Sequence, residues 1–221
     1  RDLGLALSPD TPLIAMVSRL TQQKGLDLVE HVLDDLLRQD VQMVILGSGD
    51  ERYSEFFTWA AWRYNGRLAA RREYNEVLAH RVYAGADMFL MPSRFEPCGL
   101  AQLIAMRYGA VPIVRETGGL KDTVKSYNKY TDEGTGFSFL NYNAHEMLTT
   151  IERAVSYYHA ENVWTRIVQR GMRMDFSWHK SALEYAHLYA ALTGIPFPAP
   201  EFSPPDAAQT ADAAQEPVRL A

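Results

Sequence analysis

Apolar residues run along this chain in two alternating rhythms. Short apolar or β-branched runs at Leu13–Val17, Gln42–Leu46, Arg67–Ala70, Met88–Met91, Val111–Val114 and Phe137–Leu140 read as strands. Between them lie segments of helical period. In Leu26–Gln39 the residues Leu26, Val29, Leu33, Leu36 and Leu37 recur at three- and four-residue spacing, which gathers them on one face. Glu51–Tyr64, Asn75–Ala84, Leu100–Tyr108 and Leu120–Ser126 fill the other gaps, and helices at Ala144–Tyr158, Val163–Gly171 and Trp178–Leu192 follow the last strand. Strand–helix alternation with apolar strands predicts an α/β fold: a Rossmann-like, doubly wound parallel sheet of about six strands with additional C-terminal helices.

The pattern stops near residue 195. The stretch 196–221 holds six prolines and seven alanines, with Phe197 and Phe202 as its largest apolar residues. Proline removes backbone donors, and this mixture buries too little surface to offset the cost of ordering. Residues 1–195 therefore read as one domain and 196–221 as a disordered Pro/Ala-rich tail.

Composition narrows the classes. With 221 residues, 47% of them hydrophobic and 22% charged, the chain reads as an ordinary soluble globular protein. Its net charge of −5 argues against nucleic acid as a partner, while leaving room for a local basic pocket. No apolar run approaches the ~18 residues of a membrane helix. The single cysteine, Cys98, excludes an internal disulfide and a cysteine-rich zinc site, and points to a reducing, cytoplasmic compartment. Position 1 is Arg and not Met, so the chain is expected to begin partway through a longer one, and a plastid origin stays open.

In open α/β sheets, ligands bind beyond the carboxyl ends of the strands where strand order reverses, between the first and fourth strands for the common order. The loops that meet there carry the chain's most unusual residues. After strand one, Arg19 and Lys24 stand five apart in a loop opening a helix, suited to clamp a diphosphate or equally to form a solvated basic turn. Gly25 would let that helix start approach a ligand. After strand two, Gly47-Ser48-Gly49-Asp50 lacks the third glycine of a dinucleotide fingerprint and reads as a tight turn with Asp50 as helix N-cap.

After strand four comes Pro92-Ser93-Arg94-Phe95-Glu96-Pro97-Cys98-Gly99-Leu100. The amides of Gly99 and Leu100 open the next helix and suit a phosphate, and Glu96 could accept from hydroxyl groups or simply favour the helix start. Cys98 reads as a packed residue or a pocket neighbour, with no histidine placed to make it a nucleophile. Arg115-Glu116-Thr117-Gly118-Gly119-Leu120 is another glycine-rich strand-to-helix turn, and Arg71, Arg72 and Tyr74 lie where a base could stack. Arg19, Lys24, Arg94, Glu96, Gly99, Gly118 and Gly119 all fall at carboxyl ends of expected strands. In an acidic chain, that convergence favours a nucleotide-diphosphate site.

Three segments, Ser18–Asp27, Pro92–Leu100 and Arg115–Leu120, resemble the bacterial glycogen synthase and plant starch synthase family, as does Met174-Asp175-Phe176-Ser177-Trp178 further on. The resemblance covers residues 1–193. It implies one half of a GT-B glycosyltransferase, transferring glucose with retention from ADP-glucose to the non-reducing end of an α-1,4-glucan, with no cofactor and no metal. By resemblance, Arg19, Lys24 and Glu96 are the catalytic set, the first two on the diphosphate and Glu96 on glucosyl hydroxyls. Tyr74 would stack near the adenine, the amides of Gly99 and Leu100 would reach phosphate or sugar, Thr117, Gly118 and Gly119 would line the donor pocket, and Cys98 would border it.

Two departures follow. Many retaining two-domain transferases carry a second Glu eight residues after the first, where this chain has Ile104. The family's N-terminal half, with its acceptor contacts, has no counterpart here. The chain is thus expected to supply the donor-binding half and to be inactive alone. The alternatives are the corresponding half of a UDP-sugar transferase, or a non-catalytic nucleotide- or glucan-binding module.

Overall fold

Strands form where the apolar runs predict them, because alternate side chains can be buried on both faces of one sheet. In the computed structural model, which describes residues 2–6, 8 and 10–196, these are β1 (Leu13–Val17), β2 (Gln42–Leu46), β3 (Leu68–Arg71), β4 (Met88–Met91), β5 (Val111–Arg115) and β6 (Phe137–Phe139). All five strand pairings are parallel, in the order β3-β2-β1-β4-β5-β6.

Period two assigns the faces. Ile14, Met16, Met43, Ile45, Met88, Leu90, Ile113 and Phe137 join one buried cluster, and Ala15, Val44, Leu46, Phe89, Met91 and Val114 the other. The first is covered by α1 (Leu26–Arg38), α2 (Glu51–Arg63), α6 (Ala144–Tyr158) and α7 (Glu161–Met172); the second by α3 (Glu76–Gly85), α4 (Ala101–Tyr108) and α5 (Gly118–Thr123). Helices on both faces make the sheet doubly wound, as expected.

Caps end the helices where side chains can hold orphan amides. Asn75 accepts from Leu78 N at 2.9 Å, and Asn143 accepts from His145 N and Glu146 N at 3.0 Å each. Asp50 holds the N-cap position of α2, yet its side chain makes no capping bond; its backbone N–H donates to Leu20 O at 2.8 Å instead. The fifth helix starts two residues earlier than the sequence suggests. It also ends at Thr123, because Ser126 and Tyr127 leave it to pair with Gly136. At the opposite end of the sheet, burial pushes the Asp87 carboxyl above its usual range, while the Leu13 N–H, 2.8 Å away, partly offsets this.

The chain divides into two compact units at Met174. The sheet and α1–α7 belong to the first. In the second, α8 (Trp178–Thr193) starts on Ser177, whose Oγ accepts from Lys180 N, and ends on a left-handed Gly194. The tail expected at 196–221 lies, apart from Pro196, outside the described residues.

Candidate functional site

Because β1 pairs with β4, the loops leaving their carboxyl ends meet. The contact is intimate. Arg94 N donates to Gln23 O at 2.8 Å, and Gln23 Nε2 to Phe95 O at 3.0 Å. Gly25, at φ 75°, has no room for a Cβ, which would lie 2.1 Å from Pro92 O. The sequence suggested that Gly25 leaves space for a ligand; the structure fills that space with the neighbouring loop. Gly47 abuts Ser18 O in the same way.

Between these loops Lys24 Nζ lies 2.6 Å from Glu96 Oε2, with their side chains only 16% and 10% exposed. Ser93 Oγ donates to the same carboxylate oxygen at 3.1 Å. Lys24 is thus held by an anion and is not part of a solvated basic turn, one of the two readings its place in the sequence left open. Arg19, in contrast, is exposed and has no side-chain hydrogen bond or ion pair among the described residues. Arg19, Lys24, Ser93, Glu96, Gly99 and Leu100 share the lining of one cleft of about 170 Å³.

The loop carrying Glu96 is fastened by its carbonyls. Ser93 O and Arg94 O accept from Arg115 Nη1 at 3.3 and 2.9 Å. Phe95 O accepts from Gln23, Glu96 O and Pro97 O from Gly119 N at 3.1 and 3.2 Å, and Cys98 O and Gly99 O from Gln102 Nε2 at 3.2 and 2.8 Å. The amides of Gly99 and Leu100 carry no partner among the described residues, as expected for donors that open α4.

Thr117, Gly118 and Gly119 stand outside that cleft's lining. Their turn braces the Glu96 loop instead, because a Cβ on Gly118 would lie 2.2 Å from Glu96 O and one on Gly119 2.0 Å from Cys98 O. Cys98 is exposed on the same loop. A second cleft of about 310 Å³ shares Val17, Ser18 and Arg19 with the first and continues to Tyr74, His80 and Tyr83. Tyr74 is 90% exposed at this cleft, and Ile104 contributes to its lining. Arg72 is paired with Glu51 at 2.5 Å, and Arg71 is bonded to backbone carbonyls.

Several supporting residues escaped the sequence reading. Tyr142 carries the guanidinium groups of Arg94 and Arg115 over its ring at 5.4 and 5.6 Å, and its hydroxyl donates to Asp27 Oδ1 at 2.6 Å. Burial, together with that bond, pushes its phenol well above the ordinary range. Ser93 and Gln102 belong with it. Only tertiary proximity reveals them, since a serine and a glutamine at these positions carry no sequence signal.

A family model of the group 1 glycosyl transferases matches residues 4–169, three-quarters of the chain. The chain belongs to the group 1 glycosyl transferases. Among curated members of this glycosyl transferase family, it is 57% identical over 192 residues to glycogen synthase of Bacillus cereus (strain Q1), and 53% identical to that of Clostridium botulinum (strain Eklund 17B / Type B). Each alignment covers 87% of this chain and 40% of the relative, so the chain spans about two-fifths of the length of the relatives it matches.

Among solved structures it resembles the catalytic domain of starch synthase IV from Arabidopsis thaliana bound to ADP and acarbose, with a TM-score of 0.78 and 37% identity over 86% of this chain and 40% of that one. Sucrose-phosphate synthase from Thermosynechococcus elongatus shares the fold, with a TM-score of 0.63 at 22% identity over 86% of this chain and 47% of that one. These likenesses place the sheet in the GT-B architecture. No group of three or more potential metal-ligating side chains occurs among the described residues, and none of their helices is long and apolar enough to cross a membrane.

Proposed function

We propose that the chain is the donor-nucleotide part of an ADP-glucose-dependent glycogen or starch synthase. This hexosyltransferase would move glucose, with retention, to the non-reducing end of an α-1,4-glucan. The observation that carries the reading is the cleft at the β1–β4 crossing, where Arg19, Lys24 and the amides of Gly99 and Leu100 converge beside Glu96. As the bond from the anomeric carbon to the diphosphate oxygen breaks, negative charge collects on the leaving ADP. Cations and amides gathered at one cleft stabilise that charge without a metal or a cofactor.

Arg19 is the cation free to fold onto the diphosphate, and Lys24 shares its charge between Glu96 and the incoming phosphate. Glu96, held in place by Lys24 and Ser93, accepts from glucosyl hydroxyls. The larger cleft takes the nucleoside, with Tyr74 beside the adenine and Cys98 bordering the phosphate end without acting as a nucleophile. Thr117, Gly118 and Gly119 shape the donor pocket through the loop they brace. The ADP bound to the Arabidopsis domain and the identity of over 50% to bacterial glycogen synthases support this reading. It includes a cytoplasmic location and an acceptor side supplied by the larger part of the relatives' length.

Calorimetric titration tests it. ADP should bind more tightly than UDP, and Arg19→Ala or Lys24→Ala should weaken ADP at least about tenfold, given ~1.5–3 kcal/mol for hydrogen bonds to charged groups. Unchanged affinity in both variants would remove the diphosphate from this cleft.

A further inference from the structure

The side chain of Gln102, in the first turn of α4, is fully buried. Its Nε2 faces three oxygens: Cys98 O at 3.2 Å, Gly99 O at 2.8 Å and Thr123 Oγ1 at 3.1 Å. The Thr123 hydroxyl proton is already committed to Gly119 O at 2.6 Å, so this oxygen can only accept from Gln102. All three neighbours are therefore acceptors, which fixes the amide orientation. The consequence is an oddity in the core: Gln102 Oε1 is buried with no hydrogen-bond partner among the described residues. A buried carbonyl left unpaired costs stability.

What that cost secures is the direction of two peptide planes. No cis peptide bond occurs among the described residues, and in a trans peptide the C=O and the following N–H point in opposite directions. Gln102 draws the Cys98 and Gly99 carbonyls inward, so the N–H groups of Gly99 and Leu100 must point outward. Both residues line the cleft that holds Lys24 and Glu96. Gly99, left-handed at φ 75°, allows the turn between the two planes, and a Cβ there would lie 2.5 Å from Gln102 Oε1.

We propose that Gln102 is a positioning residue for anion recognition: from inside the core it holds the Gly99 and Leu100 amides as an outward-facing pair that receives the terminal phosphate of a nucleoside diphosphate. The inference deepens the proposed function and rests on it. Gln102 touches no ligand and acts only through two peptide planes.

The experiment uses Gln102→Met, which keeps the volume, removes the donors and also removes the unpaired oxygen. ADP and AMP are titrated into the 221-residue chain and its variant, and thermal unfolding is followed in parallel. The expected result is a loss of ADP affinity of at least tenfold with AMP affinity changed less than twofold, because only the second phosphate reaches the amide pair. Inorganic pyrophosphate should shift the Gly99 and Leu100 amide resonances in the parent chain and not in the variant.

If ADP and AMP weaken together, or only the thermal midpoint moves, Gln102 is a packing residue and the inference fails. If the variant binds ADP like the parent, the inference fails while the proposed function stands. A parent chain that binds neither ADP nor pyrophosphate overturns both.

Discussion

Lys24 and Glu96, both largely buried, each neutralise the charge that the other would bring into the cleft. Such a pair adds little net stability relative to an apolar pair, but removing one member strands the other's charge. Lys24→Met should therefore lower unfolding free energy by ~3 kcal/mol, while Lys24→Met combined with Glu96→Gln should recover a large part of that loss. Denaturant unfolding of the single and double variants checks this, and strictly additive losses would show that the pair is uncoupled. Arg19 provides the contrast. It is exposed and unpaired among the described residues, so Arg19→Ala should change stability by no more than ~0.5 kcal/mol while weakening ADP. The two cations look alike in the sequence, five residues apart in one loop, and differ because only one faces a buried carboxylate.

At the scale of elements, the site depends on how closely two strand-to-helix loops approach. Gly25 is the hinge of that approach, with its φ of 75° and Pro92 O where a Cβ would be. Gly25→Ala should combine the left-handed penalty of ~1–2 kcal/mol with a backbone clash that parts the loops. The bonds from Arg94 N to Gln23 O and from Gln23 Nε2 to Phe95 O should then break, and ADP binding should be lost with stability. Gly4→Ala is the control: its φ is 81°, but no atom of the described residues lies within 4 Å of the added carbon, so the backbone penalty applies without a clash. Equal losses in unfolding and titration for the two variants would show that close loop approach contributes nothing. The glycines at 118 and 119 follow the same logic, fitting one loop beneath another where the sequence suggested direct access for a ligand.

At the scale of the whole molecule, a chain spanning about 40% of its relatives' length holds a six-stranded sheet with both faces covered. On the proposed function, the cleft at the carboxyl ends of β1 and β4 binds the nucleotide. Group transfer also needs an acceptor held opposite the donor, which requires reacting groups on both sides of a closed cleft. The 221-residue chain alone should thus bind ADP yet transfer no labelled glucose to glycogen; efficient incorporation would refute the division of labour. By itself the sequence determined the strand–helix alternation, the sheet and the rim where Arg19, Lys24, Glu96, Gly99 and Leu100 gather. Apolar periodicity and glycine placement are local signals, and the crossover rule for parallel strands carries them to the β1–β4 crossing. Only the tertiary structure decided that Lys24 is committed to Glu96, that Gly25, Gly118 and Gly119 are filled by neighbouring backbone, and that Gln102, Arg115 and Tyr142 fasten the Glu96 loop. Those outcomes depend on which groups distant in the chain come within hydrogen-bonding reach, and residue spacing along the chain carries no information about that distance.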